Sequence, residues 1–229
     1  MAEIVIALDL PGGTEALRLL DRLPGARWVK VGPILMTREG PALLRTLIDR
    51  GHLVFLDLKW HDIPNTVAGA VAAARDLGVS MATVHALGGS AMMEAAARAA
   101  GTGLTVVGVT VLTSHDPVSY GRAVGREEAD LPAEVERQAR AAVAAGLGGV
   151  VCSPREVTRV RPLMHGRRIV VPGIRRRADV AGDQVRVASA ADAAADGATH
   201  LVVGRPLLQA ADPAAVYHEL LEEARCVAS

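Results

Sequence analysis

Short apolar runs alternate with alanine-rich segments along the whole sequence, and this alternation restricts the possible folds more than any other feature. The apolar runs have the length of strands, and they predict strands over residues 4–8, 27–31, 53–58, 81–85, 104–112, 149–152, 168–171 and 200–203. The other segments predict helices over residues 14–23, a helical region up to residue 50, and helices over 66–77, 90–100, 133–145, 155–163, 189–196 and 206–224. Strands that alternate with helices of about a dozen residues indicate βαβ units and a parallel sheet.

Eight such units in a chain of 229 residues predict an α/β fold, a single-domain (β/α)8 TIM barrel. No linker or shift in composition suggests a second domain, so we expect residues 1–229 to form one domain. Two long connections are expected, at residues 113–131 and 172–188. Thr14 and Ser189 are predicted to be N-caps, because a hydroxyl can accept the free N–H groups of a first helical turn.

The composition argues against two classes of partner. Half of the residues are hydrophobic, but the chain has one Phe, two Trp and two Tyr, which are too few rings for stacking on nucleobases. The formal net charge is +0, and the longest basic block is the three arginines at 175–177. We therefore expect neither nucleic acid nor an anionic membrane as a partner.

The sequence also predicts a cytoplasmic protein. No run approaches the roughly 20 apolar residues of a membrane span. Glu3 stands where a signal peptide needs a basic flank, and the apolar run after it has only strand length. Cys152 and Cys226 are isolated cysteines without metal-ligand spacing, which is typical of thiols in a reducing compartment.

Charged residues collect at the end of the third predicted strand. Side chains alternate along a strand, so Asp57 and Lys59 are expected side by side on one face. Asp62 follows on the turn, just before a helix whose first turn can accommodate Pro64. Charges are rarely buried unless they are paired, so this group indicates a functional site. A structural salt bridge at the strand end is the alternative interpretation.

In a parallel barrel of this kind, the active site lies at the carboxyl ends of the strands. The opposite ends are mostly ordinary turns, whereas the carboxyl ends carry Asp9, Lys30, Asp57, Lys59, His85, Thr113, Ser153, Gly173, Arg175, Gly204 and Arg205. Single residues have structural explanations, since Asp9 could cap a helix, Lys30 could be solvated and His85 could be hydrogen-bonded in a structural role. The asymmetry between the two ends favours a catalytic interpretation.

Two short segments predict where a phosphate group binds. The segment 171–175 follows the seventh strand, and the segment 203–206 follows the eighth strand and opens a helix. Barrels of this fold commonly hold phosphate between these two loops, against a helix N-terminus. The glycines allow backbone N–H groups to approach the ligand, and Arg205 can make a bidentate, charge-assisted contact.

The sequence predicts neither a metal nor a cofactor. The acids and histidines do not fall at metal-ligand spacings, and Lys59 supplies the positive charge that a metal would bring among the carboxylates. No glycine-rich dinucleotide fingerprint or Walker loop follows any predicted strand. We therefore expect chemistry that uses side chains alone.

Residues 57–66 read DLKWHDIPNT, which resembles the signature of the orotidine 5′-phosphate decarboxylase family. The resemblance covers nearly the whole chain, through ALD at 7–9, VKVG at 29–32, VHA at 84–86, VLTS at 111–114, VCS at 151–153, PGIR at 172–175, GDQ at 182–184 and VGRP at 203–206. The Asp-x-Lys-x-x-Asp core is shared with sugar-phosphate decarboxylases. The IPNT continuation and the GDQ segment are more specific to the nucleotide enzyme.

The resemblance implies a reaction and catalytic roles. Orotidine 5′-monophosphate would be decarboxylated to uridine 5′-monophosphate without a cofactor, as the last step of de novo pyrimidine synthesis. Lys59, as its ammonium, would stabilise the carbanion-like centre at C6 of the ring and protonate it. Asp57 would lie against the departing carboxylate and, together with Lys30 and Asp62, would hold Lys59 charged and oriented.

The resemblance also implies binding roles and a partner. Asp62 and Thr66 would reach into the site of a neighbouring subunit, so a homodimer with shared sites is expected. Asp9 and Lys30 would bind ribose hydroxyls, and Thr113 would contact the pyrimidine. The phosphate would be held by Arg175, Gln184, Gly204 and Arg205.

Three alternatives remain open. The first is a Mg²⁺-dependent sugar-phosphate decarboxylase or epimerase of the same barrel group. The second is an aldolase in which Lys59 forms a Schiff base, although two flanking carboxylates disfavour the uncharged amine that this chemistry needs. The third is an inactive barrel kept as a binding or scaffold protein, against which the intact set of charged residues argues.

Overall fold

The computed structural model describes residues 1–176 and 188–225 of the chain. The eight strands are β1 Glu3–Ala7, β2 Trp28–Val31, β3 Leu53–Trp60, β4 Met81–His85, β5 Thr105–Val109, β6 Gly149–Val151, β7 Arg168–Val171 and β8 His200–Val203. They form a closed barrel in sequence order, and β8 pairs with β1 to complete it. Every neighbouring pair is parallel, so the predicted (β/α)8 barrel is confirmed.

Ten α-helices lie in the described residues. They are α1 Gly13–Asp21, α2 Pro33–Asp49, α3 Pro64–Asp76, α4 Gly89–Ala100, α5 Pro117–Ala123, α6 Leu131–Ala144, α7 Val157–Met164, α8 Ala190–Asp196, α9 Arg205–Leu208 and α10 Pro213–Arg225. Short 3₁₀ turns cover Ala86–Gly88 and Pro154–Glu156. None of the helices in the described ranges is long and apolar enough to cross a membrane.

Two predicted helix boundaries are decided by local hydrogen bonds. The N-cap of α1 is Gly12, so the prediction of Thr14 is wrong. The side chain of Glu39, in α2, accepts the N–H of Gly13 at 2.8 Å and so pairs a free N–H group of the first turn of α1. Ser189 is the N-cap of α8, as predicted, and accepts the N–H of Asp192 at 3.1 Å.

Two segments contain helix ends that the sequence interpretation missed. The predicted loop 113–131 contains α5, which Asp116 starts by accepting the N–H of Ser119 at 2.7 Å. The predicted helix 206–224 is divided into α9 and α10. Asp212 accepts the N–H groups of Ala214 and Ala215 at 3.0 and 3.1 Å, so it begins a new helix rather than continuing the old one.

The apolar residues form two separate layers. An inner cluster fills the barrel with strand residues, namely Val5, Ala7, Trp28, Phe55, Met81, Val107, Val170 and Val202. A larger outer cluster joins the other face of the strands to the buried faces of the helices. Because alternate residues of each strand go to the two layers, both faces of the sheet are covered and the strands read as continuous apolar runs.

Candidate active site

A polar layer lies directly above the apolar filling of the barrel, at the carboxyl ends of the strands. Two positions beyond the inner residues of β1, β2 and β3 stand the charged residues Asp9, Lys30 and Asp57. The corresponding residue of β4 is Thr83, two positions beyond Met81. Side chains two positions apart share one face of a strand, so these polar groups face the inside of the barrel mouth.

Four charged groups form a row in which positive and negative charges alternate. The Nζ atom of Lys30 lies 3.1 Å from Asp9 Oδ1 and 3.5 Å from Asp57 Oδ2. The Nζ atom of Lys59 lies 2.8 Å from the other oxygen of Asp57, Oδ1. Asp57 therefore has one ammonium group against each of its carboxylate oxygens.

Asp57 is buried and ionised, with 8% of its surface exposed. Burial alone would raise the pKa of its carboxyl group. The ammonium groups of Lys30 and Lys59, with hydrogen bonds from Lys59 and Thr83, outweigh burial and hold that pKa below its usual value. Asp57 therefore carries a negative charge at neutral pH, between the two ammonium groups.

The pairing of β3 with β4 is irregular next to this carboxylate. Leu56 pairs with Ala82 and Trp60 pairs with Val84. Three residues of β3 therefore stand opposite the single residue Thr83 of β4, which makes a bulge at the end of β3.

Lys59 is the last residue of this bulge. Its φ is +51°, in the left-handed region that residues other than glycine rarely adopt. Its backbone N–H donates to Thr83 Oγ1 at 2.8 Å, and Thr83 Oγ1 donates to Asp57 Oδ1 at 3.1 Å. Lys59 lies beside Asp57 as predicted, but the predicted reason was regular strand alternation, and the bulge shows that this reason is wrong.

The charged row lines a cavity of about 340 Å³ at the barrel mouth. Four further residues of the predicted site line the same cavity, namely Thr113, Arg175, Gly204 and Arg205. They come after β5, β7 and β8. Since β8 is the neighbour of β1, the two arginines continue the rim beyond Asp9.

The arginine side of the cavity is shaped by glycine turns. Gly173 has a φ of +82°, which lets the chain turn sharply after β7, and Arg175 behind it is 8% exposed. The guanidinium of Arg175 donates to the carbonyl oxygen of Ile174 at 3.0 Å. After β8, Gly204 precedes the half-buried Arg205, which begins α9. Two guanidinium groups therefore border the cavity where the sequence predicts a phosphate.

Two described residues of the predicted site, Asp62 and Thr66, do not line this cavity. Asp62 and Thr66 are exposed, and Asp62 accepts the N–H of Ile63 at 2.6 Å. Among the described residues, Asp62 forms no ion pair with Lys59, whose carboxylate partner is Asp57. Gln184 lies outside the described residues.

His85 and Ser153 occupy strand ends in different ways. The ring of His85 lies 5.5 Å from that of His61, and burial, His61 and Lys59 lower its pKa. The Nδ1 atom of His85 is buried and has no hydrogen-bond partner among residues 1–176 and 188–225. Ser153 is fully buried and its N–H donates to Glu156 at 2.9 Å, so it has a structural role at the start of a 3₁₀ turn.

The acidic, histidine and cysteine side chains of the described residues do not form a metal site. Within residues 1–176 and 188–225, no three His, Cys, Asp or Glu side chains are grouped so that they could hold a metal ion. Cys152 lines the cavity, but burial raises the pKa of its thiol, which keeps it uncharged. Cys226 lies outside the described residues.

Lys30 and Lys59 are the two lysines of the chain, and the other residues counted as Lys or Arg are all arginines. A guanidinium remains charged in proteins and cannot give up a proton, whereas an ammonium can. The chain therefore uses lysine where the charged row needs it and arginine everywhere else. This contrast was available in the sequence and was missed, as was Thr83, which shares its strand face with His85.

The sequence model of the "Orotidine 5′-phosphate decarboxylase / HUMPS family" matches residues 2–220. The chain belongs to this family. The match includes all of the residues that form the charged row and the two arginines at the cavity.

Individual relatives agree with this assignment. The chain is 50% identical over 227 residues to orotidine 5′-phosphate decarboxylase from Alkalilimnicola ehrlichii, which covers 97% of this chain and 96% of the relative. It is 51% identical over 220 residues to the protein of that name from Halorhodospira halophila, a match that covers 93% of this chain and 91% of the relative. A crystal structure of orotidine 5′-phosphate decarboxylase from Lactobacillus acidophilus superposes with a TM-score of 0.86 at 34% identity, covering 98% of this chain and 100% of that chain.

Proposed function

We propose that the protein converts orotidine 5′-monophosphate to uridine 5′-monophosphate and carbon dioxide without a cofactor, in de novo pyrimidine synthesis. The observation that carries this proposal is the row of alternating charges at the barrel mouth. It sets an ammonium group that can donate a proton 2.8 Å from a buried, ionised carboxylate. The family and the names of the relatives support the same reaction.

The row supplies what the reaction needs. When the bond between C6 and the substrate carboxylate breaks, carbon dioxide leaves and the electron pair stays on C6. The Lys59 ammonium stabilises that pair and then donates a proton to C6. The substrate carboxylate is placed against Asp57, and the repulsion between the two carboxylates disappears as carbon dioxide leaves. Lys30, on the second oxygen of Asp57, keeps that carboxylate ionised and in place.

The rest of the cavity binds the parts of the nucleotide that do not react. Asp9 and Lys30 take the ribose hydroxyls, and Thr113 contacts the pyrimidine. Arg175, Gly204 and Arg205 hold the phosphate, together with Gln184. Binding energy from the phosphate can then be used to position the ring over Lys59.

The proposed active form is a homodimer with shared sites, in which Asp62 and Thr66 complete the cavity of the neighbouring subunit. Their exposure on this chain supports the assignment. Three large apolar side chains that follow β2, β3 and β4 are also exposed, namely Ile34 at 54%, Ile63 at 67% and Leu87 at 41%. Large apolar side chains exposed at three successive strand ends fit a protein interface at this end of the barrel.

We extend the proposal to the whole chain and its setting. Residues 1–229 form one decarboxylase domain that acts in the cytoplasm on a free nucleotide rather than on nucleic acid. The free thiol of Cys152 fits a reducing compartment, and the net charge of +0 fits a small-molecule substrate.

The test is the loss of orotidine 5′-monophosphate absorbance with purified protein in the presence of EDTA. We expect full turnover, because the proposed chemistry uses no metal. The Mg²⁺-dependent sugar-phosphate enzyme would instead show no turnover of this nucleotide and would act on its own substrate only without the chelator. Borohydride trapping with a carbonyl substrate would reveal the aldolase chemistry.

A further inference from the structure

The bulge at the end of β3 is unfavourable for the backbone of Lys59 in two ways, one through its N–H group and one through its φ angle. Because three residues stand opposite Thr83 alone, the regular ladder cannot give each of their N–H groups a carbonyl acceptor. A buried N–H group without an acceptor is unfavourable, and so is a left-handed conformation at a residue other than glycine. Lys59, with its φ of +51°, keeps this conformation only if its surroundings hold it there.

The hydroxyl of Thr83 supplies the missing acceptor. It accepts the backbone N–H of Lys59 at 2.8 Å and lies 3.1 Å from Asp57 Oδ1. Since a backbone N–H cannot accept a hydrogen bond, the single proton of the hydroxyl is directed to the carboxylate. The same carboxylate oxygen accepts from Lys59 Nζ at 2.8 Å. One hydroxyl thus closes a ring that contains the backbone of Lys59, the carboxylate of Asp57 and the ammonium of Lys59.

Thr83 is itself held firmly. It is 0% exposed, so water cannot take the place of its hydroxyl. On its other side β4 is regular, and Thr83 pairs with Val107 in the middle of a ladder of five residue pairs with β5. The irregular strand is therefore fixed against a regular one through this side chain.

We propose that Thr83 is a positioning residue, whose hydroxyl sets the geometry of the Lys59 ammonium and the Asp57 carboxylate for proton transfer to the substrate. The inference rests on the function proposed above. Thr83 does not line the cavity, so its effect on the reaction passes through the two charged residues. Loss of the hydroxyl should therefore change kcat while nucleotide binding is retained.

The experiment compares variants that differ by the hydroxyl alone. Thr83→Val keeps the shape of threonine, and the pair Thr83→Ser and Thr83→Ala repeats the comparison in a smaller side chain. We expect kcat for orotidine 5′-monophosphate to fall about 10- to 100-fold from threonine to valine and from serine to alanine. The dissociation constant for uridine 5′-monophosphate should stay within about threefold, and Thr83→Ser should keep kcat within about threefold of the original.

A matched control lies at the other end of the barrel. The hydroxyl of Thr199 accepts the N–H of Ile169 at 2.9 Å and contacts His200 Nδ1 at 2.9 Å, so it also joins a neighbouring backbone to a titratable side chain. Thr199→Val should lower the melting temperature and leave kcat unchanged.

The outcomes separate this inference from the function on which it rests. If the original protein does not turn over the nucleotide, the proposed function fails. If the original protein is active and either folded hydroxyl-free variant keeps its reference kcat, the positioning role is wrong. The role is also wrong if Thr83→Ser loses as much activity as Thr83→Ala, or if both hydroxyl-free variants fail to fold while Thr83→Ser folds, since the hydroxyl would then act on stability.

Discussion

Each end of the barrel buries a titratable side chain, and the two differ in the charge that this side chain carries. At the carboxyl end, Asp57 stays ionised between two ammonium groups and the row borders an open cavity. At the amino end, the rings of Trp28 and His200 meet edge to face with centroids 5.1 Å apart. The guanidinium of Arg168 lies over the Trp28 ring, 5.7 Å from its centroid, and donates to His200 Nε2 at 3.0 Å.

The buried titratable group is neutral at the amino end and charged at the carboxyl end. Burial, Arg168 and Arg27 lower the pKa of His200 to about 4, so its ring is neutral at pH 7 and accepts from Arg168. Its other nitrogen donates to Thr199. The amino end thus buries a neutral group with both nitrogens paired, which favours stability, whereas the carboxyl end keeps charges that stabilise a developing charge on a substrate.

The largest effect on turnover is expected from the ammonium at the carboxyl end. Lys59→Ala should leave a folded protein that still binds uridine 5′-monophosphate but has lost decarboxylation by about 10⁴-fold or more, because it removes both the proton donor and the stabilising charge. Single-turnover assays of orotidine 5′-monophosphate loss measure this. Arg168→Leu, which removes a cation from the amino end, is the control and should keep kcat. Substantial activity in Lys59→Ala would contradict the role of Lys59.

A smaller effect is expected from the arginine side of the cavity. Arg205→Ala should lower kcat/KM by about 100-fold or more, since a charge-assisted, bidentate contact with the phosphate is lost. Most of the change should appear in KM. Arg140→Ala, in an exposed ion pair with Glu136, is the matched control and should leave kcat/KM unaffected. An unchanged kcat/KM in Arg205→Ala would show that the phosphate binds elsewhere.

A substitution of His200 at the amino end of the barrel should leave turnover at pH 7 unchanged. It should change how the free energy of unfolding of the protein depends on pH. Because the folded pKa of His200 is lowered from 6.5 to about 4, the unfolded chain binds more protons between these values. Stability is therefore lost as the pH falls through this window, by about 3 kcal/mol at pH 4. Urea unfolding from pH 7 to pH 4 should show a flatter profile for His200→Gln than for the original protein.

The control for this titration is His165→Asn, at an exposed histidine with a φ of +45° that asparagine can also adopt. Its stability profile should follow that of the original protein. If the free energy of unfolding changed equally with pH in His200→Gln and in the original protein, His200 would not be the titrating group.

The sequence predicted the architecture because the strands carry an apolar core pattern and several of them end in residues of the site. The apolar runs that fill the barrel lead directly to Asp9, Lys30 and Asp57. The same sequence pattern therefore predicts both the strands and the charged row. Eight residues of the predicted site meet at one cavity for this reason.

The features that were not predicted depend on contacts between distant segments. The left-handed backbone of Lys59 requires a hydroxyl 24 positions later in the chain, and the start of α1 uses Glu39 from another helix. A local pattern contains neither partner. The division between α9 and α10 is different, because Asp212 before Pro213 is a local start signal that was overlooked.

The scarcity of lysine has a practical consequence for anyone who labels this protein. Both of its side-chain amines belong to the charged row, and the Lys59 side chain is 36% exposed while that of Lys30 is 11% exposed. Besides the amino terminus, an acylating reagent therefore meets one accessible amine, at the mouth of the barrel. Mild acylation would report on occupancy of that mouth without any engineered tag, and a bound nucleotide would shield the amine from the reagent.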